Sequence, residues 1–390
     1  MKKKQKKILS PTVSTDNDTV LQGTGVSSNP LPEWKLKKKI TGDYIAGFVQ
    51  ADGSFSVRLA RKTRGLKEYL FLSLVFTIVQ KAKYKNLILE IQKVFKGVGT
   101  VYFDKNDDSV RYQVTTIADF INVIIPFFMT HQLRSGKLQS FLRFKYVVEM
   151  MAKKAHRDRN ILVGLIVIAS HMNPLGKIFN NVKYLTEKEQ ECVQKNVQPE
   201  GVDVSGLTDS INNFKQNKLT LDFMHGLFDG DGSLSVSLSR PPATVARGSD
   251  KLSVKVSFVV VQDLHNLSLL DEIKEYFDNE GAIAKIGENC STYSSGSQAV
   301  LESVILPKMA GESKEGWRTA VRDCQIGGLN LPPVKHNKIY YVSKILFDKE
   351  NTNEIIRHSY NVIKASDEIT LEEYVQKMEL KLGLSCTSVN

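Results

Sequence analysis

Two decapeptides, YIAGFVQADG at 44–53 and FMHGLFDGDG at 223–232, recur 179 residues apart, each an apolar run ending in Asp-Gly. The negative, carbonyl end of a helix is a poor place for a carboxylate. A helix stop followed by a turn explains one such copy. It does not explain two copies in register, because the sequence around them repeats as well.

After the first decapeptide SFSVRLA alternates, with Phe55, Val57 and Leu59 on one face and Ser54, Ser56 and Arg58 on the other. After the second, Leu234, Val236 and Leu238 oppose Ser233, Ser235, Ser237 and Ser239. Period two over this length predicts strands with one buried face. Basic, turn-prone stretches follow, RKTRGLKE and RPPATVARGSDK, and then return strands YLFLSLVFTIVQ and KLSVKVSFVVVQ that end at Gln80 and Gln262. The second return strand sets Lys251, Ser253, Lys255 and Ser257 against Leu252, Val254, Val256 and Phe258.

Amphipathic helices are expected over 82–95 and 263–278. More strand follows, clearest at VGTVYFD, RYQVTT and GAIAKIG, and closing helices near 117–129, 136–153 and 337–347. The fold class expected is α+β, a duplicated αββαββα unit with two pseudo-twofold-related halves, each carrying a four-stranded antiparallel sheet. The boundaries read as a basic, disordered tail (1–39), a first half (40–153), a linker with a short apolar helix at 161–170 (154–218), a second half (219–350) and a helical extension (351–390). A Gly/Ser-rich patch at 291–297 and a Gly-Gly-Leu-Asn loop at 327–330 read as extras of the second copy.

The decapeptide helices are apolar almost all round, which marks burial. Small residues four apart, Gly47 with Ala51 and Gly226 with Gly230, suit close backbone approach. If the two copies pack on each other through these faces, Asp52 and Asp231 lie within a few ångströms. Two such carboxylates repel unless a divalent cation joins them, and oxygen ligands with positions open to water and phosphate are what Mg²⁺ takes.

Composition narrows the partner. The chain has 390 residues, a net charge of +11 and a pI near 9.2, which points to a polyanion, nucleic acid before a membrane surface. Cysteines at 192, 290, 324 and 386 form no CxxC pair, against a zinc site or disulfide framework. The longest apolar stretch, 161–169, is about half a membrane span. The N-terminal segment has lysines but neither an apolar signal region nor the arginines of a transit peptide.

YIAGFVQADG and FMHGLFDGDG resemble the signature motifs of LAGLIDADG homing endonucleases in their single-chain, two-motif form, over roughly residues 40–350. The resemblance implies a site-specific DNA endonuclease that cuts both strands of a long asymmetric site, acting as a monomer on double-stranded DNA. It implies that Asp52 and Asp231 bind the catalytic Mg²⁺ and that Gln80 and Gln262 order water or metal near the scissile phosphates. Lys137 and Lys335 are the candidates for assisting basic residues. The polar strand faces would lie in the major groove, through Ser54, Ser56, Arg58, Arg61, Lys62, Arg64, Ser233, Ser235, Ser237, Arg240, Lys251, Ser253 and Lys255. An organelle, mitochondrion before chloroplast, is the implied location. The alternative is an RNA maturase acting on its host intron. Two positions depart from the motif: Gln50 stands where an acid is common, and His225 where a small residue is usual. His225 is expected to pack rather than bind metal.

Overall fold

The computed structural model describes residues 40–64, 67–104, 107–172, 182–240, 252–311, 338–347, 351–363, 369–382 and 384. Contacts divide these into two compact units, Ile40–Lys218 and the residues from Leu219 onward.

Each unit opens with an 11-residue motif helix, Gly42–Asp52 in the first and Leu221–Asp231 in the second. Their N-caps match: Thr41 Oγ1 accepts from Tyr44 N and Thr220 Oγ1 from Phe223 N, both at 3.2 Å. Each satisfies an amide that the helix leaves without a partner. Both helices stop at the acid because the following glycine is already extended, Gly53 at φ −85°, ψ 151° and Gly232 at φ −80°, ψ 155°.

In the first unit β1 (Gly53–Arg64), β2 (Lys67–Lys81), β3 (Thr100–Asp104) and β4 (Ser109–Val114) form an antiparallel sheet in the order β1-β2-β4-β3. In the second, β5 (Gly232–Ser239), β6 (Ser253–Asp263), β7 (Ala282–Ile286) and β8 (Cys290–Ser295) take the order β5-β6-β8-β7. The registers correspond: Gly53 faces Ile78, and Gly232 faces Val260. The expected alternation holds, with Phe55, Val57 and Leu59 buried and Ser54 and Arg58 exposed.

Helices cover the apolar face of each sheet, among them Lys85–Val94 and Leu267–Tyr276 where amphipathic helices were expected. Phe55 anchors the first core, 4.7 Å from the Phe76 ring and within 5.5 Å of Phe128, Phe141 and Phe144. Phe258 does the same in the second, stacked 4.9 Å from Phe228 of the motif helix. Buried tyrosines occupy matching places, Tyr112 donating to Val98 O and Tyr293 to Glu280 O.

Four features add to the sequence expectations. The Gly/Ser-rich patch is largely strand β8, whose inward positions are Ser291, Tyr293 and Ser295; small inward residues hid its period. The second unit has a helix over 298–310 that the sequence reading missed. Like its counterpart over 117–130, it contains a π turn, Leu301–Ile305 and Phe120–Ile124 respectively. Pro126 and Pro307 lack the N–H that would close an α turn there, and the wider π turn accommodates them. Much of the expected linker packs on the first core, where helices Arg159–Ser170, Glu187–Lys195 and Ser205–Asn212 bury Leu165, Val193 and Leu207. The C-terminal helices Thr352–Val362 and Leu371–Leu382 belong to the second unit, where Ile355 and Ile356 are buried. The 327–330 loop lies outside the described residues.

Candidate active site

Asp52 is the last helical residue of its motif, and β1 starts beside it. The antiparallel register brings the end of β2 back to this point, so Gln80 Nε2 donates to Asp52 Oδ2 at 2.5 Å. The second unit repeats the pair: Gln262 Nε2 donates to Asp231 Oδ2 at 2.5 Å and to Val261 O at 2.8 Å. An amide that spends its N–H on the acid fixes the carboxylate's orientation and leaves its own carbonyl oxygen for another partner.

Lys137 lies in the first turn of helix Ser135–Ala152, and its Nζ donates to Gly53 O at 2.6 Å. This places a cation one residue from the first acid. Lys335 lies outside the described residues.

Gln50, the departure in the first motif, is 1% exposed, and its Oε1 accepts from Arg134 N at 2.8 Å. An acid there could accept the same bond, but would bring a buried charge. Asp229 holds the corresponding position in the second motif and is also buried. His225 Nε2 donates to Met309 O at 2.6 Å, a bond that ties the motif helix to the helix over 298–310.

The donor set fits a hard divalent cation. Each unit offers the carboxylate of its motif and the side-chain carbonyl of the glutamine bound to it. Among the described residues no group of three or more His, Cys, Asp or Glu side chains is assembled. A site with one protein carboxylate leaves most of the coordination sphere to water and phosphate oxygens, as hard divalent cations accept.

The polar faces extend away from these acids. Ser54, Arg58, Ser233, Ser235, Ser237, Ser253 and Lys255 are exposed on them, and Arg240 is exposed just past β5. Ser56 is partly covered and lies 3.5 Å from Val75 O. Lys62 and Arg64 are placed on β1 by register, opposite Tyr69 and Lys67, and Lys251 lies outside the described residues. Arg61 falls on the other face: it shares the parity of Phe55, Val57 and Leu59, beyond the end of the core. Its guanidinium carbon sits 4.3 Å from the centroid of the Tyr184 ring. The sequence reading missed four residues that share the polar face of the first sheet, Thr77, Arg111, Gln113 and Tyr102. The alternation in RYQVTT, with Tyr112 inward, carried that signal.

With this geometry in hand, the comparisons with known proteins agree on one family. The model of the LAGLIDADG endonuclease family matches residues 45–148 and 224–306. The chain is 28% identical over 276 residues to the "Probable intron-encoded DNA endonuclease 1" of Mycosarcoma maydis, covering 68% of this chain and 90% of that protein. It is 28% identical over 243 residues to the "Probable intron-encoded endonuclease 2" of Neurospora crassa, covering 62% of this chain but 49% of that one. In fold it resembles the I-LtrWI LAGLIDADG homing endonuclease bound to target DNA, with a TM-score of 0.61 at 22% identity, over 83% of this chain and 97% of that one. It also resembles I-SmaMI bound to uncleaved DNA in the presence of calcium ions, with a TM-score of 0.61 at 19% identity, over 87% and 99%. Two signature motifs in register, each with its own four-stranded sheet and acid–amide pair, place this chain in the LAGLIDADG endonuclease family.

Proposed function

We propose that the chain is a site-specific DNA endonuclease that makes a metal-dependent double-strand break. The observation that carries this reading is the acid–amide pair, repeated at the same place in both halves at the edge of a polar sheet face. Asp52 and Asp231 would hold Mg²⁺, one acid for each strand of a duplex. When bound, the metal supplies an activated water and neutralises charge building on the phosphate. Gln80 and Gln262 hold the acids in place, and Lys137 adds positive charge beside the first. No side-chain nucleophile is required.

The exposed serines, Arg58 and Lys255 suit major-groove contacts, and Lys and Arg suit phosphates. Because the faces of the two halves differ in sequence, the target is asymmetric. The protein acts as a monomer on double-stranded DNA. Its likeness to intron-encoded fungal relatives supports a mitochondrial setting. Among the described residues no helix is long and apolar enough to cross a membrane.

The test is cleavage of a plasmid carrying the intron-free junction at the host intron's insertion point, with Mg²⁺ and with EDTA. Linear product with Mg²⁺ alone supports the reading. Tight binding without any cut in Mg²⁺ or Mn²⁺ overturns it in favour of a binding protein.

A further inference from the structure

The turn that precedes helix Ser135–Ala152 does more than start a helix. Gln132 Nε2 donates to Lys215 O at 3.2 Å, and Asn217 N donates back to Gln132 Oε1 at 2.8 Å. Arg134 Nη1 donates to Asn217 O at 2.5 Å and Nη2 to Lys218 O at 3.2 Å. Four hydrogen bonds thus fall on three residues, Lys215, Asn217 and Lys218, of a short irregular stretch. Arg134 is 4% exposed, and burying a guanidinium is costly unless its donors are used, as the fork is here on two carbonyls.

The same turn reaches the first catalytic acid. Arg134 N donates to Gln50 Oε1, two residues before Asp52, and Lys137 contacts Gly53 O from the helix that the turn begins. Ser135, at the joint, has φ +50°, a left-handed conformation that serine adopts sparingly and that persists where surroundings over-determine it. On the linker side, only Leu219 separates Lys218 from Thr220, the N-cap of the second motif helix.

From this we infer that Gln132 and Arg134 are positioning residues: they clamp the end of the linker so that the second half cuts in step with the first, within one binding event. The inference rests on the endonuclease reading above. Magnitudes show why a clamp matters. Asn213 to Leu219 are seven residues without helix or strand. A flexible segment of that length has an end-to-end spread of roughly 15 Å, whereas a misplacement of about 1 Å at a reacting group can cost about 100-fold in rate.

The experiment follows supercoiled target plasmid through nicked to linear form with Mg²⁺, for the wild type, Gln132→Ala and Arg134→Lys, alongside DNA affinity and Tm. Gln132 is half-buried, so its truncation leaves the fold in place. Arg134→Lys keeps the charge but loses the fork. Expected for both are near wild-type affinity and a first nick within about twofold. Linearisation should slow by about tenfold or more, so that nicked circles accumulate. Variants whose two cuts slow together, or whose Tm falls while the nicked-to-linear ratio stays at the wild-type value, overturn the inference. A wild type that cuts neither strand removes the endonuclease reading and this inference with it.

Discussion

Gln80 reaches across from the end of β2 to hold one oxygen of Asp52, and Gln262 holds Asp231 in the same way. In both halves the amide fixes the orientation of a carboxylate that stands at the end of its helix. Gln80→Ala or Gln262→Ala should leave DNA affinity unchanged and slow cleavage by about 10- to 100-fold, the usual effect of removing a partner that orients a metal ligand. Affinity that falls as far as the rate would assign these amides to DNA binding instead.

Asp52→Asn and Asp231→Asn preserve shape and remove charge. On the proposal that the acids hold metal and read no base, each should abolish double-strand cleavage while keeping affinity within a few-fold. If the two acids serve different strands, each single variant should still nick. A folded variant whose binding collapses together with its cleavage would sink the assignment.

The glycine that follows each acid is required by close approach, not by a special φ. A Cβ on Gly53 would lie 2.4 Å from Val49 Cγ1 and 2.7 Å from Val49 O, and one on Gly232 would lie 2.1 Å from Phe228 Cδ2 and 2.6 Å from Phe228 O. Gly53→Ala and Gly232→Ala should cost about 1–3 kcal/mol by overpacking and should displace the neighbouring acid. Thermal melts and cleavage rates test this, and near-normal values in both would show that the helix–strand joint yields freely.

Much of this was legible in the sequence because its signals are local. The duplication, β1, β2, β5 and β6 follow from period two, and Asp52, Asp231, Gln80 and Gln262 stand at matching places in two copies. What escaped has physical reasons. In β8 serines take inward positions beside the one large residue, Tyr293, so hydrophobic alternation is nearly absent. Arg61 belongs to a strand that outruns its core, where parity ceases to separate buried from exposed. The role of Gln50 depends on Arg134, 84 residues away in sequence, and no local pattern encodes such a bond.

Tyr112 and Tyr293 are buried and donate to main-chain carbonyls, and burial, assisted by the charges of Asp119 and Glu280 respectively, pushes both phenols well above their ordinary range. A group whose folded pKa is raised keeps its full contribution below its unfolded value, near 10, and loses it as pH rises toward the folded value. Stability should therefore fall above about pH 10. Tyr112→Phe and Tyr293→Phe should each cost about 1 kcal/mol at pH 8 and flatten the alkaline loss. Urea midpoints at pH 8 and pH 11 decide, and an unchanged alkaline slope in the double variant would place the loss elsewhere.

Arg111 and Thr292 hold corresponding register positions, beside Val79 in the first sheet and Val261 in the second. Arg111 is exposed, with Tyr102 opposite it on β3, whereas Thr292 is 3% exposed and donates to Ala284 O. At this register level Arg111 of the first half has a guanidinium fork suited to a guanine edge, and the matching residue of the second half is a short, buried threonine. Arg111→Ala should relax discrimination at one base pair of one half-site by about 1–3 kcal/mol and leave the other half-site untouched. Thr292→Ala should change neither. A scan of single mismatches across the target, repeated on both variants, measures this. Relaxation spread evenly over the site would make Arg111 a phosphate contact, and its mark would then be a salt slope lower by about one.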